Sequence, residues 1–479
     1  MEYKWTVLTV TTVGVLMSGI DGRILIIGLP QIASAMHADA EQAIWFTQGY
    51  ALASTIMLLL IGRATDIFGR VKFYNTGFVI FTVASLLTGF AQIPNQIIVF
   101  RFVQGIGSSI IWSNSIAMIT DATPRRELGM ALGINSIAFN LGSVFGLTVS
   151  GLILAFLDWR YLFYVNVPIG LFGTLWAYTR LREIAQTEKG APVDWFGFGA
   201  FVIFITNLLL ALTFAAYGIS EQNLVNGLLV ISFLALIAFV RHERRTKYPL
   251  LDLKLLRIKE FGSSIVALVI NVTAFSSLAL LLSLYFQLVV GLSPFEAGIR
   301  LLPLDVSALL VAPLSGRMSD RFGQVPFITA GLCLVSIGTY MFSTVDASTP
   351  YVTVVVYMIL LGVAISMFLA PNVSYSMTLI PAQRRGVAAS VRSTFFNVGL
   401  TVSLNLVVLV MTFTVPYSIV TAVISSVGPV AVSMTYRTLF MNGLRSAYVW
   451  LAVLNATALV PVLFTFSRTR QVKAQSQLN

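Results

Sequence analysis

Gly62-Arg63-Ala64-Thr65-Asp66-Ile67-Phe68-Gly69-Arg70-Val71 recurs as Gly316-Arg317-Met318-Ser319-Asp320-Arg321-Phe322-Gly323-Gln324-Val325, with six of ten positions identical. A second match lies downstream of each copy. Residues 124–142 (PRRELGMALGINSIAFNLG) agree with 381–399 (PAQRRGVAASVRSTFFNVG) at seven of nineteen positions, at an offset of 257 against 254 for the first pair. Two matches at nearly one offset mark a duplicated unit, so the architecture is read as two related halves.

Each copy of the first stretch is a short polar break between long apolar runs. The runs are 6–29, 44–62, 73–92, 95–119, 130–156, 161–180, 195–216, 223–240, 262–289, 297–316, 326–343, 352–376, 387–412 and 445–466. A helix crossing a bilayer needs about 20 apolar residues, and each run supplies close to that. A strand reading fails, because a membrane strand has about ten residues of alternating polarity. Of the 479 residues 57% are hydrophobic and 10% charged, whereas a soluble domain carries about 25% charged residues. A large soluble enzyme is thereby excluded, and the connections are too short for a sizeable soluble domain. The first run is too long for a signal-peptide core and is expected to be a retained span.

Charge sets the orientation. With the N-terminus inside, the inside segments hold 23 of the 30 Lys and Arg; the outside loops hold Arg160, Arg437 and Arg445, and the spans hold Arg23, Arg101, Arg300 and Arg392. This bias is the positive-inside pattern of a cytoplasmic N-terminus, and an even span count puts the C-terminus on the same side. The repeat copies are eight spans apart, which leaves six helices per half and an inserted pair at 195–240. The expected fold is all-α integral membrane with fourteen transmembrane helices. It divides into a six-helix bundle (1–185), two inserted helices with a cytoplasmic linker (186–260) and a second six-helix bundle (261–479). The second part of the linker 241–260 spaces its apolar residues helically and is expected on the membrane surface. Residues 413–444 form the longest outside connection; the stretch is apolar and contains Pro416 and Pro429, which fits a partly inserted or re-entrant element.

One cysteine, Cys333, and two histidines leave no residues for a disulfide framework or a Cys- or His-rich metal site. No cofactor and no metal are expected. No GxxxxGK[ST] stretch occurs, so ATP is not the direct fuel. The net charge of +11 belongs to cytoplasmic loops, not to a nucleic-acid surface.

Gly62–Arg70 resembles the loop signature between helices two and three of the major facilitator superfamily. Its glycines permit a tight turn, and Asp66 can accept from helix-start N–H groups and pair with an Arg. The resemblance implies a cytoplasmic gate made of Gly62, Asp66, Gly69, Arg70, Asp320 and Gly323. Arg101-Phe-Val-Gln-Gly105-Ile-Gly107 resembles the family's fourth-helix motif, whose Arg is implicated in proton coupling. Gly133, Gly142, Gly146 and Gly151 match the spacing of the antiporter motif in helix five. Leu147 stands where that motif has Pro, and Ser150 where it has Gly. Trp159-Arg160-Tyr161-Leu162-Phe163-Tyr164-Val165-Asn166-Val167-Pro168-Ile169-Gly170 resembles the entry to helix six in the fourteen-helix drug:proton antiporter branch. Asp194 and Pro249-Leu-Leu-Asp252-Leu also fit that branch.

The first span departs from it. The branch has Leu-Asp-x-Thr-Ile-Val-Asn; here Ile20-Asp21-Gly22-Arg23-Ile24-Leu25-Ile26 keeps the acid and replaces Thr by Arg23 and Asn by Ile26. On a regular helix Asp21 and Arg23 point about 160° apart, unless Gly22 lets the helix unwind. Asp305, in Leu302-Pro303-Leu304-Asp305, is a second acid within a span. An Arg at mid-membrane costs about 2.5–3.5 kcal/mol, so Arg101 should face a cavity or a partner, or snorkel outward. Burial raises a carboxylate pKa and a nearby Arg lowers it, so an acid whose neighbours change between states can load and release a proton. Asp21, Arg101 and Asp305 are the proton-coupling candidates; the competing reading is a fixed buried salt bridge. Arg23, Trp45, Gln48, Asn114, Asn140, Arg392, Phe396 and Asn397 are expected to line the substrate cavity.

The reading is a monomeric, proton-coupled secondary transporter of the multidrug type in a prokaryotic plasma membrane, not an enzyme. Its partners would be H⁺, the lipid bilayer and a small amphipathic organic molecule. The alternative is an exporter of lipids or anionic amphiphiles, because Arg23 and Arg392 repel a cation.

Overall fold

The computed structural model describes residues 2–124, 127–184, 193–216, 222–247, 249–380, 385–416 and 434–464; at 40, 62, 63, 66, 129, 385, 386 and 434–436 it describes the backbone only. The regular structure among the described residues is helical: α1 (Tyr3–Ala35), α2 (Ala40–Phe68), α3 (Arg70–Gly89), α4 (Pro94–Ala122), α5 (Leu128–Phe156), α6 (Tyr161–Tyr164), α7 (Asn166–Arg180), α8 (Trp195–Ala215), α9 (Gln222–Glu243), α10 (Lys259–Phe275), α11 (Leu278–Leu284), α12 (Pro294–Phe322), α13 (Gln324–Met341), α14 (Tyr351–Thr378), α15 (Arg385–Thr412) and α16 (Met434–Thr457). Among the described residues, twelve helical segments are long and apolar enough to cross a membrane, and α4 and the α6–α7 rod pack among them.

The sequence repeat has a structural counterpart. Helices α2 and α12 have 29 residues each and are closed at both ends in the same way. Asp39 and Gln42 form a capping box at the start of α2, and Ser293 and Glu296 form one at the start of α12, so the free N–H groups of each first turn are satisfied. Each helix ends on a glycine at φ 98°, Gly69 and Gly323, a backbone region that side-chain-bearing residues rarely adopt. Packing repeats as well. α4 lies against α2 and α3, and α1 against α5; likewise α14 lies against α12 and α13, and α10 against α15. The two sets meet crosswise, α2 on α15 and α5 on α12.

Contacts between the sets are concentrated away from Gly69 and Gly323. Gln48 Nε2 donates to the Thr401 carbonyl and to Asn405 Oδ1, each at 3.1 Å. Ser283 Oγ donates to the Ile26 carbonyl at 3.0 Å, and Gln287 Nε2 to the Ile27 carbonyl at 3.3 Å. A Cβ on Gly151 would lie 2.8 Å from Phe295 Cα, so α5 and α12 touch backbone to backbone there. The largest apolar core joins both sets at this far end through Ile27, Phe46, Leu147, Leu282 and Leu301. Hydrogen bonds between the sets reach mid-helix, at Thr55 and Asn397.

Span 262–289 is one apolar segment, Lys259–Val289, with a turn at Ser276-Ser277 where the Ser277 N–H donates to Ser403 Oγ at 3.2 Å. Span 161–180 keeps helical backbone through Val165, and α6 is separated from α7 there because Pro168 has no N–H for the carbonyl of residue 164. Two expectations need correction. Residues 434–444 are not loop but the start of α16, in which Phe440, Leu444, Ala447 and Leu451 form one buried stripe that Arg437 and Arg445 obscure in sequence; residues 417–433 lie outside the described residues. The linker's apolar residues do not lie on the membrane surface: Leu251 and Leu255 are buried in a core shared with α8, α10 and α15.

Candidate functional site

Helix α1 is continuous through Gly22, so Asp21 and Arg23 leave it in different directions. Asp21 is fully buried and Arg101 is 1% exposed. Arg101 Nη1 donates to Asp21 Oδ2 at 2.7 Å; Gln104 Nε2 and Asn166 Nδ2 donate to Oδ1, each at 2.9 Å. Three donors from two helices therefore hold one carboxylate. Arg101 and Gln104 are three residues apart on α4, hence on one face, and Arg101 Nη1 also donates to Gln104 Oε1 at 2.8 Å. Asn166 opens α7 directly after Val165, and it also donates to Ser85 Oγ on α3 at 3.3 Å. The guanidinium sits 4.3 Å from the Tyr50 ring centroid, and its Nε donates to the Phe46 carbonyl at 3.3 Å. Tyr50 is held in turn by its hydroxyl donating to Ser108 Oγ at 2.6 Å. The site is buried, pairs one acid with one Arg, and is tied to α1, α2, α3, α4 and α7.

Arg23 turns the other way. Its Nη2 lies 3.5 Å from Asp305 Oδ1 on α12, with side chains 26% and 15% exposed, so this ion pair joins the two sets of helices. Asp305 Oδ2 is buried with no hydrogen-bond partner.

The cavity candidates separate. Gln48, bonded as above, and Asn397, whose carbonyl accepts from Thr55 and Thr401, lie in the α2–α15 seam. Asn114 is buried on α4, donating to its own Ile110 carbonyl at 2.9 Å, with Oδ1 buried and unpartnered. Asn140 is exposed on α5. Trp45 and Phe396 pack, half-buried, on the core around α10 and α15. Arg392 is half-buried, and its Nε is buried with no hydrogen-bond partner.

At the repeat loops, the Asp66 side chain lies outside the described residues, and of Gly62 only the backbone, in α2, is described. Arg70 reaches from the start of α3 to Asp121 and to the Ala117 carbonyl on α4. In the second copy Gln324 Nε2 donates to Ser374 Oγ at 2.9 Å, and Ser374 Oγ to Asp320 Oδ1 at 3.3 Å. A charged bridge in one copy is thus a neutral one in the other. The antiporter-motif glycines also divide. A Cβ on Gly142 would lie 2.3 Å from the Leu16 carbonyl and one on Gly146 2.6 Å from that of Ile20, whereas Gly133 has open space.

Gln104, Asn166, Tyr50 and Ser85 escape the sequence reading. Gln104 and Asn166 sit inside stretches singled out there, and an amide within an apolar run is the signal that marks them. Tyr50 and Ser85 carry no such signal.

The class is a membrane transporter: an all-helical body built on a repeat, with ion pairs between its helices and a transporter family's sequence. The chain belongs to the Major Facilitator Superfamily, whose family model matches residues 11–404 and 306–478. It is 28% identical over 403 residues to the riboflavin transporter RibZ of Clostridioides difficile, covering 83% of this chain and 86% of that protein. It is 27% identical over 399 residues to the tetracenomycin C resistance and export protein of Streptomyces glaucescens, covering 82% and 73%. Several further relatives are named as multidrug transporters or resistance proteins. Among solved structures it resembles a bacterial homologue of the human lysosomal transporter Spinster, at TM-score 0.64 and 18% identity over 98% of both chains.

Proposed function

We propose that this transporter exports an amphipathic organic molecule in exchange for protons, by alternating access in a prokaryotic plasma membrane. It works as a monomer of fourteen spans, with α4 and the α6–α7 rod counted among them. The units are residues 1–185, 186–260 and 261–479, and both termini are cytoplasmic. Among the described residues, hydrogen bonds between the halves then run from the outer part of the membrane to its middle, at Thr55 and Asn397, which supports a conformation open toward the cytoplasm. Names of relatives that export drugs support the direction of transport.

The observation that carries the coupling is the pair of ion pairs rooted on α1. In the cytoplasm-open state Arg101 pairs with Asp21 Oδ2, and the Gln104 and Asn166 amides donate to its other oxygen. Taking up a proton removes the charge that fixes Arg101, so the α1–α4 contact loosens. Arg23, one half-turn on, transmits that movement to Asp305 across the seam. The cycle runs outward with substrate and returns with the proton.

Arg392 favours a second reading of the cargo. A half-buried guanidinium with an unpartnered Nε suits an anionic group, which points to an anionic amphiphile or a lipid. Proteoliposomes with an imposed pH gradient and a pH-sensitive dye test both readings, using cationic, neutral and anionic amphiphiles. Compound-dependent proton flux in the wild type and none in Asp21→Asn is the expected result. Selective loss of anionic compounds in Arg392→Gln supports the second reading. Proton-independent transport would overturn the coupling.

A further inference from the structure

The molecule carries a large cleft remote from both ion pairs. Its volume is about 1130 Å³, and its walls come from α8, α9, the linker, α10, α15 and the residues that follow α16. Phe201, Phe239, Val269 and Phe395 form the apolar body. Val266 and Phe464 line it too and are 49% and 72% exposed, so the cleft opens sideways toward the space that lipid fills. Ligand pockets for drug-sized molecules span about 300–1,000 Å³ and carry placed polar groups to orient the ligand. This cleft exceeds that range. Lys259, Glu260 and Ser263 line it at the start of α10, where the helix leaves the linker, and Thr394 lines it with its hydroxyl turned back to the Ser390 carbonyl of its own helix at 3.0 Å.

The linker is basic. Residues 241–260 hold seven basic side chains against three acidic ones. Arg241, Arg244, Arg245, Lys254, Arg257 and Lys259 are all exposed. Two of the acids are engaged locally: Glu243 accepts from the Leu250 and Leu251 N–H groups at 3.3 and 3.1 Å, and Asp252 accepts from the Lys254 N–H at 3.1 Å. Glu260 lines the cleft beside Lys259, within a linker whose basic side chains outnumber its acids. A wide apolar slot, open to the side and basic at its membrane-surface end, has the polarity profile of an anionic phospholipid.

We propose that the cleft binds one membrane phospholipid with an anionic head group, its acyl chains against Phe201, Phe239 and Phe395 and its phosphate at Lys259. The lipid fills the space between the inserted helices and the second half, and ties the α8–α9 pair to α10 and α15. This site is separate from the substrate path and does not depend on which compound is transported.

Full-length protein, delipidated in mild detergent, is titrated with dioleoyl phosphatidylglycerol or dioleoyl phosphatidylcholine and read by native mass spectrometry. Phosphatidylglycerol should be retained in preference. Lys259→Glu, an exposed change that leaves the core intact, should reduce that preference by about fivefold or more. Val266→Trp, which fills the slot, should lower retention of both lipids. A photoreactive phosphatidylglycerol should label peptides from α8, α10 or residues 458–464. Equal retention of the two lipids, a preference unchanged by Lys259→Glu, or labelling confined to other helices would each overturn the proposal. Displacement of the lipid by the transported compound at stoichiometric levels would do so too, by making the cleft a substrate site.

Discussion

Asp21 and Arg23 stand two residues apart on one unbroken helix, and each finds its counter-charge in a different half of the protein. Asp21 pairs with Arg101 on α4 within the first set of helices; Arg23 pairs with Asp305 on α12 in the second. Residues two apart on a helix point about 160° from each other, so a rotation or slide of α1 strains both pairs at once. The first pair is sealed and over-determined by amide donors. The second is partly solvated and bridges the seam. That asymmetry underlies the proposed coupling, in which the first pair takes up the proton and the second follows the arrangement of the halves.

Asp21→Asn should be costly for stability. It leaves Arg101, 1% exposed, without its counter-charge, and breaking a buried pair costs about 3–5 kcal/mol. Asp21→Asn with Arg101→Gln removes both charges and should recover most of that loss in thermal unfolding, yet neither variant should move protons with substrate. Recovery of coupled flux in the double variant would mean that the pair serves the fold alone.

Asp305→Asn should behave differently. Its ion pair is longer and partly exposed, and such pairs contribute about 0–1 kcal/mol, so melting should barely change. The seam should loosen instead. Single cysteines placed near Phe295 should react faster with a membrane-impermeant thiol reagent added from outside, after Cys333 has been replaced by Ser. Reversing the pair with Arg23→Asp and Asp305→Arg should return the wild-type rate. A rate that stays raised in the reversed pair would show that Arg23 and Asp305 act independently.

The duplicated architecture was legible because the turns between α2 and α3 and between α12 and α13 both need a glycine at positive φ and a polar helix end, requirements that leave a residue pattern. The matching capping boxes at Asp39 and Ser293 carry the same message but use different residues, so identity counting passes over them. Asp21 and Arg101 could be marked as buried charges, since an apolar run demands a partner for each. Which partner each takes was not legible, because helix adjacency is a property of packing. The α2–α15 seam that absorbs Gln48 and Asn397 is likewise tertiary. Arg437 and Arg445 misled in the other direction: two cations in a row of loop-like residues hid a buried helical stripe.

The glycines of α5 separate into two kinds with opposite expected outcomes. Gly142→Ala and Gly146→Ala place a Cβ 2.3 and 2.6 Å from carbonyls of α1, which forces α1 and α5 apart and tilts Asp21 away from its donors. Both should lower melting temperature and coupled flux. Gly133 meets nothing within 4 Å, so Gly133→Ala should stabilise the helix by about 0.5–1 kcal/mol and leave transport intact. A loss of flux in Gly133→Ala with unchanged melting would show that α5 must bend at that point.

The seam itself offers a direct test of alternating access. Thr55 Oγ1 and Thr401 Oγ1 lie 2.7 Å apart across α2 and α15, close enough for a pair of cysteines to be oxidised to a disulfide. In a Cys333→Ser background, Thr55→Cys with Thr401→Cys should cross-link readily and hold the halves together where they meet. Transport should then stop, since the outward-open state requires α2 and α15 to part. Reductant should restore it. Binding of substrate from the cytoplasmic side should survive oxidation, because that side is already open in the linked state. Undiminished turnover with the disulfide intact would exclude a cycle that opens along this seam, and would move the moving boundary elsewhere in the bundle.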